Sequence, residues 1–148
     1  MLGTTGSGKT TLLHNIIANL LINNSYKLFL LDPKRIEFNI YSKLNNVHVS
    51  YSLDECIKTV QLLNDIMESR FSMLLEDYSK KLKPIVLIVD EFGDLFLQDK
   101  TKEFINNLTK LAQKSRAAKI YMVLATQRPS AKIIDRSNKS KYFSKNSM

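Results

Sequence analysis

Close to the start of the chain, residues 3 to 10 read Gly-Thr-Thr-Gly-Ser-Gly-Lys-Thr, an instance of the pattern G-x-x-x-x-G-K-[ST]. No other stretch limits the fold as strongly, because this octapeptide works as the turn between a buried strand and a helix. Gly3, Gly6 and Gly8 let the backbone bend so that successive N–H groups point at phosphate oxygens. Lys9 then reaches the β and γ phosphates, Thr10 offers its hydroxyl to Mg²⁺, and the following helix presents its positive end to the same anion. The candidate nucleotide-binding set is therefore Gly3, Thr4, Thr5, Gly6, Ser7, Gly8, Lys9, Thr10 and Thr11, with Mg²⁺ as the counterion of the bound phosphates.

The rest of the chain supplies the alternation that such a loop requires. Leu12, Leu13, Ile16, Ile17, Leu20 and Leu21 recur at helical spacing, which predicts a helix over about 10–22. Lys27 to Leu31 is a short apolar run closed by Asp32-Pro33, a strand that ends where proline cannot continue it. Residues 47–49 form a weaker strand candidate. Cys56, Val60, Leu63, Met67, Phe71, Leu74 and Tyr78 keep a helical period with no Pro or Gly, which predicts one long helix over about 54–82. Ile85 to Val89 is a run of five aliphatics, as expected for a central parallel strand covered on both faces. A helix carrying Phe104, Ile105, Leu108, Leu111 and Ala112 follows, and then a strand over 120–125. Alternating strands and helices predict a three-layer α/β fold with a mostly parallel sheet.

Size and charge narrow the possibilities further. With 148 residues the chain suits one domain. Its 44% hydrophobic and 24% charged residues match an ordinary soluble protein. No apolar run reaches the roughly 18 residues of a spanning helix, so the expectation is a cytoplasmic protein with no membrane segment in this chain. The single cysteine, Cys56, falls within a helical apolar pattern and reads as a buried inert thiol. The net charge of +8 is uneven: residues 1–99 hold 10 Lys and Arg against 12 Asp and Glu, and residues 100–148 hold 12 against 2. A basic carboxy-terminal third suits a polyanion such as nucleic acid, and suits a solvated face equally well. His14 and His48 have no second ligand at metal-binding spacing.

A second set of chemical residues follows the aliphatic strand. Asp90-Glu91 stands at its end, where in phosphate-loop ATPases the first acid holds the Mg²⁺ shell and the second polarises the attacking water. Thr10 and Asp90 are thus the candidate metal ligands and Glu91 the candidate base. Gln127, just past the last strand, lies at the carboxyl edge where open α/β sheets bind ligands. It is the candidate sensor of the γ phosphate.

Five blocks, Gly3 to Thr10, Leu31-Asp-Pro-Lys34, Val89-Asp-Glu-Phe-Gly-Asp-Leu95, Leu111-Ala-Gln-Lys-Ser-Arg-Ala-Ala118 and Leu124-Ala-Thr-Gln-Arg-Pro-Ser130, closely resemble the FtsK/SpoIIIE family of DNA translocases in order and spacing. The resemblance implies a RecA-like P-loop NTPase motor that assembles as a ring, commonly a hexamer, around double-stranded DNA and moves it by ATP hydrolysis. It implies catalytic roles for Glu91 and Gln127. Arg116 is the candidate for an arginine supplied to a neighbour's nucleotide, with a solvated or DNA-facing role as the alternative. Asp32 and Lys34 match the family's Asp-Pro-Lys block and carry no assigned chemistry.

The resemblance places an FtsK-type motor domain over residues 1–130 and leaves 131–148 as a basic, disordered or frayed tail. Only Met1 and Leu2 precede Gly3, so the first strand of the RecA-like sheet is expected to be largely missing. That strand is expected beside the one carrying Asp90, where its loss would leave backbone unpaired. Three functions follow: a DNA motor, including one from a mobile element; a conjugation or secretion ATPase of the wider family; or an inactive remnant that binds nucleotide or DNA without turnover.

Overall fold

The computed structural model describes residues 7–127, and Gly3, Thr4, Thr5, Gly6 and the tail expected over 131–148 lie outside them. The chain runs α1 (Ser7–Asn23), β1 (Lys27–Leu31), β2 (Val47–Ser50), α2 (Leu53–Glu76), β3 (Ile85–Val89), α3 (Phe92–Gln98), α4 (Glu103–Lys114) and β4 (Ile120–Leu124). Two short 3-10 turns, Asn39–Tyr41 and Ser115–Ala118, complete it. The strands pair in parallel throughout, in the order β2-β1-β3-β4.

Strand alternation divides the core into two layers. Leu28, Leu30, Val86 and Ile88 point to one face, where Leu13 and Ile17 of α1 and Phe38 cover them. Phe29, Leu31, Ile85, Leu87 and Val89 point to the other, under Cys56, Val60, Leu63 and Met67 of α2 and Phe104, Leu108 and Leu111 of α4. All five residues of β3 are buried, each fully buried aliphatic adding about 1.5–3 kcal/mol of apolar transfer energy. The three-layer α/β class expected from the sequence is the observed one.

Local chemistry explains where the observed elements depart from the expected bounds. The first helix begins at Ser7 rather than about residue 10, so Gly8, Lys9 and Thr10 form its first turn. The second helix ends at Glu76 rather than about residue 82. Asp77 adopts an extended backbone, and its Oδ1 accepts bonds from the Ser79 N–H and hydroxyl. Lys80, Lys81 and Lys83 then crowd like charges, and Pro84 holds the residue before it out of the helical region. The start of α2 is firm, because Ser52 and Glu55 form a reciprocal capping box.

The expected position of the first strand is overturned. Both edges of β3 are filled, by β1 on one side and β4 on the other, so no further strand can lie beside the one that ends at Asp90. Ordinary loops close the opposite edge of the sheet. Arg70 of α2 donates to the Ala118 and Lys83 carbonyls, both at 2.7 Å, pinning the segments that enter β4 and β3.

Candidate active site

Parallel pairing brings every strand end to one edge, and the chemical residues collect there. The Asp90 N–H donates to Leu31 O and the Asp32 N–H to Ser50 O, both continuing the ladder one residue past the strands. On the far side Ala125 N–H donates to Val89 O and Phe92 N–H to Ala125 O. Asp32, Asp90, Glu91 and Thr126-Gln127 therefore end on a common rim.

The first turn of α1 reaches this rim. Lys9 Nζ lies 2.6 Å from Asp90 Oδ1 and 3.5 Å from Glu91 Oε1. Asp90 and Glu91 are 3% and 2% exposed, while the Lys9 side chain keeps 14%. Burial pushes the Asp90 carboxyl above the ordinary carboxylate range, and the Lys9 bond and charge oppose that without reversing it. Thr10 is half-buried beside Lys9, and Thr11 is exposed.

Glu91 has an unusual backbone. Its φ of 59° and ψ of 58° are left-handed, a cost of about 1 kcal/mol or more for a residue with a Cβ. In return its carboxylate turns to the end of β4. Thr126 Oγ1 donates to Glu91 Oε2 at 2.6 Å, and the Gln127 N–H donates to Oε1 and Oε2 at 3.2 and 3.1 Å. Gln127 thus joins the site through its backbone, with an exposed side chain. Thr126 was not legible as a site residue in the sequence. The signal that could have found it is register: β4 pairs Leu124 with Val89, so the residues just past each lie side by side.

The segment after β1 braces the same rim. Asp32 is fully buried, and its Oδ2 accepts the Glu37 and Phe38 N–H groups at 3.1 and 3.0 Å. Lys34 Nζ stands 3.8 Å from Asp94 Oδ2. His14 of α1 bonds through Nδ1 to the Tyr41 hydroxyl and places Nε2 3.5 Å from Glu37 Oε1. These contacts shape the loop, as the sequence placed Asp32 and Lys34 without chemistry.

Among the described residues, Arg116 is a candidate that the fold keeps apart. It is exposed in the turn Ser115–Ala118 that leads into β4, at the opposite end of the strands from Asp90. A five-residue strand spans roughly 16 Å, too far for Arg116 to serve the nucleotide of its own chain. Cys56 is buried and its thiol is pushed up to about 12 by burial, with lesser contributions from Glu55 and Asp32. That matches the inert thiol expected.

The donor set fits Mg²⁺ bound with phosphates. Thr10 and Asp90 offer one hydroxyl and one carboxylate, hard oxygens of the kind Mg²⁺ takes while keeping its waters and phosphate ligands. Among the described residues no cluster of three or more His, Cys, Asp or Glu could cage a metal alone. No described helix is long and apolar enough to cross a membrane.

Several known proteins resemble this chain. A DNA translocase FtsK of Campylobacter jejuni is 34% identical over 154 residues, covering 89% of this chain and 16% of that protein. One from Staphylococcus epidermidis is 31% identical over 158 residues, covering 89% and 20%. The chain thus spans a fifth or less of the length of these relatives. Among solved structures, the pCW3 conjugation coupling protein TcpA in its monomer form with ATPγS superposes with a TM-score of 0.80 at 27% identity, over 94% of this chain and 45% of that one. The FtsK/SpoIIIE family model matches residues 1–80 and 76–131, so the chain belongs to the FtsK/SpoIIIE family.

Proposed function

We propose that this chain is the ATP-hydrolysing motor core of a double-stranded DNA translocase. The observation that carries the reading is the contact of Lys9 with Asp90 and Glu91, 81 and 82 residues away, at the carboxyl edge of a parallel sheet. A lysine at the head of a helix beside two buried acids suits a phosphate chain with its counterion.

The chemistry follows from these groups. On ATP binding, Lys9 exchanges the acids for the β and γ phosphates, and residues 3–11 supply backbone N–H groups. Thr10 and Asp90 would hold Mg²⁺, which supplies neutralisation of charge on the transferring phosphoryl group. Glu91 accepts a proton from water as its oxygen bonds to the γ phosphorus, and the bond to the β-phosphate oxygen breaks to release ADP. Gln127, at the end of β4, would respond to the γ phosphate.

Charge distribution supports DNA as partner. Lys27, Lys83 and Lys119 stand at the entering edge of the sheet, joined by the bonds of Lys27 N–H to Pro84 O and of Ile85 N–H to Lys119 O. The acids lie at the other edge. Phosphate neutralisation by such a rim is sequence-independent, as a translocating contact requires. In a ring, commonly a hexamer, Arg116 would face the nucleotide of a neighbouring subunit. The likeness to the conjugation coupling protein favours DNA transfer by a mobile element as a second reading of the same motor, and a cytoplasmic location follows from either.

Glu91→Gln and Lys9→Ala test the assignment. Glu91→Gln should retain ATP binding and lose at least about 100-fold in hydrolysis, whereas Lys9→Ala should lose binding. Hydrolysis unchanged by both substitutions would refute it.

A further inference from the structure

Glu91 needs more than proximity to act as a base. A carboxylate has two oxygens and about four lone-pair sites, and catalysis requires one oxygen to be held in place while the other stays open to water. The two oxygens of Glu91 have different surroundings. Oε2 takes the 2.6 Å bond from the Thr126 hydroxyl and the shorter arm of the Gln127 N–H. Oε1 takes the longer arm at 3.2 Å and faces Lys9 at 3.5 Å.

From this asymmetry we infer that Thr126 is a positioning residue for hydrolysis, anchoring Oε2 so that Oε1 is the oxygen that receives the proton from water. The inference rests on the hydrolytic reading above. When Lys9 leaves for the phosphates, Oε1 loses its neighbouring cation and Oε2 keeps its anchor. The left-handed backbone of Glu91 aims the side chain toward β4, and the Phe92 N–H to Ala125 O bond at 2.8 Å holds the two strand ends at the separation this bond needs. In this role Thr126 acts through Glu91.

The expected signature is a split between turnover and binding. In the 148-residue chain, Thr126→Val keeps the shape and removes the donor, so kcat for ATP should fall about 10- to 100-fold with KM changed less than about 2-fold. Thr126→Ser returns the hydroxyl and should restore kcat to within about 3-fold of wild type. In a Glu91→Gln background, Thr126→Val should lower the residual rate less than about 2-fold, because the two changes remove the same function. If wild type hydrolyses ATP and Thr126→Val matches its kcat, the positioning role is wrong and the motor reading stands. A fall in Thr126→Val that Thr126→Ser does not restore, or that KM shares, also overturns it by showing a merely structural effect. If folded wild type binds ATP and hydrolyses none, the hydrolytic reading fails and takes this role with it.

Discussion

Replacing Lys9 by methionine removes the ammonium and keeps the reach of the side chain, which isolates its electrostatic contribution to the fold. Asp90 and Glu91 are almost fully buried, with Nζ 2.6 Å from one and 3.5 Å from the other. Deleting one partner of a buried pair costs about 3–5 kcal/mol when the other is left charged and dry. Here Lys9 keeps 14% exposure, so water already offsets part of that cost and the expected loss is about 2–3 kcal/mol at pH 7.5. For a chain of this size that lowers Tm by roughly 6–12 °C. The pH dependence has a definite sign. Burial raises the Asp90 pKa in the folded state, so Asp90 favours folding while protonated, and that contribution is lost as pH rises through the folded value. Without Lys9 the folded pKa rises further, and the cost of Lys9→Met should shrink from pH 8 to pH 5. Urea unfolding of wild type, Lys9→Met, Asp90→Asn and the double variant at both pH values measures this, with a coupling of about 1 kcal/mol or more expected at pH 8. Additive single costs, or a cost equal at both pH values, would refute the claim that Lys9 neutralises these acids.

Other consequences can be checked separately. Because burial pushes the Cys56 thiol up to about 12, iodoacetamide at pH 8.5 should label the native chain more than about 100-fold slower than the urea-unfolded chain; equal rates would show an accessible thiolate. Mixing inactive Lys9→Ala with inactive Arg116→Ala chains should restore part of the ATPase activity if Arg116 serves a neighbour, since some interfaces then carry both native residues. No recovery at any ratio, in chains shown to mix, would leave Arg116 without that role. Replacing Lys27, Lys83 and Lys119 by glutamine should lower the log–log salt slope of duplex DNA binding by about three, whereas the same changes at the exposed Lys43, Lys58 and Lys100 should leave it within about one.

β1 and β3 were legible as short apolar runs bounded by residues that stop them, and α4 by the helical spacing of Phe104, Ile105, Leu108 and Leu111. The five aliphatics of β3 are all buried, and the strand expected over 120–125 ends one residue earlier, at Leu124. The end of α2 was not legible, because a helical apolar pattern continues to Tyr78 in the sequence while Asp77 and Ser79 form a local turn that breaks the backbone first. The short α3 was missed for a similar reason: Phe92–Gln98 is too brief to show a period, and its start depends on the left-handed Glu91. Strand order cannot be read from local pattern, and the RecA-like resemblance put the strand ahead of the phosphate loop beside β3, whose two edges β1 and β4 fill. The meeting of Lys9, Asp90 and Glu91 at one edge was legible because it depends on residue type at strand and helix ends. Thr126 was not, because its importance comes from a register between strands that are 30 residues apart in sequence.

The most direct measurement is ATP turnover by the purified chain with and without linear double-stranded DNA, beside Lys9→Ala. DNA-stimulated hydrolysis that vanishes in Lys9→Ala is the expected result and identifies a working motor core. Folded chain that binds ATP and turns none over, with or without DNA, would contradict the motor and leave a nucleotide-binding remnant of the family.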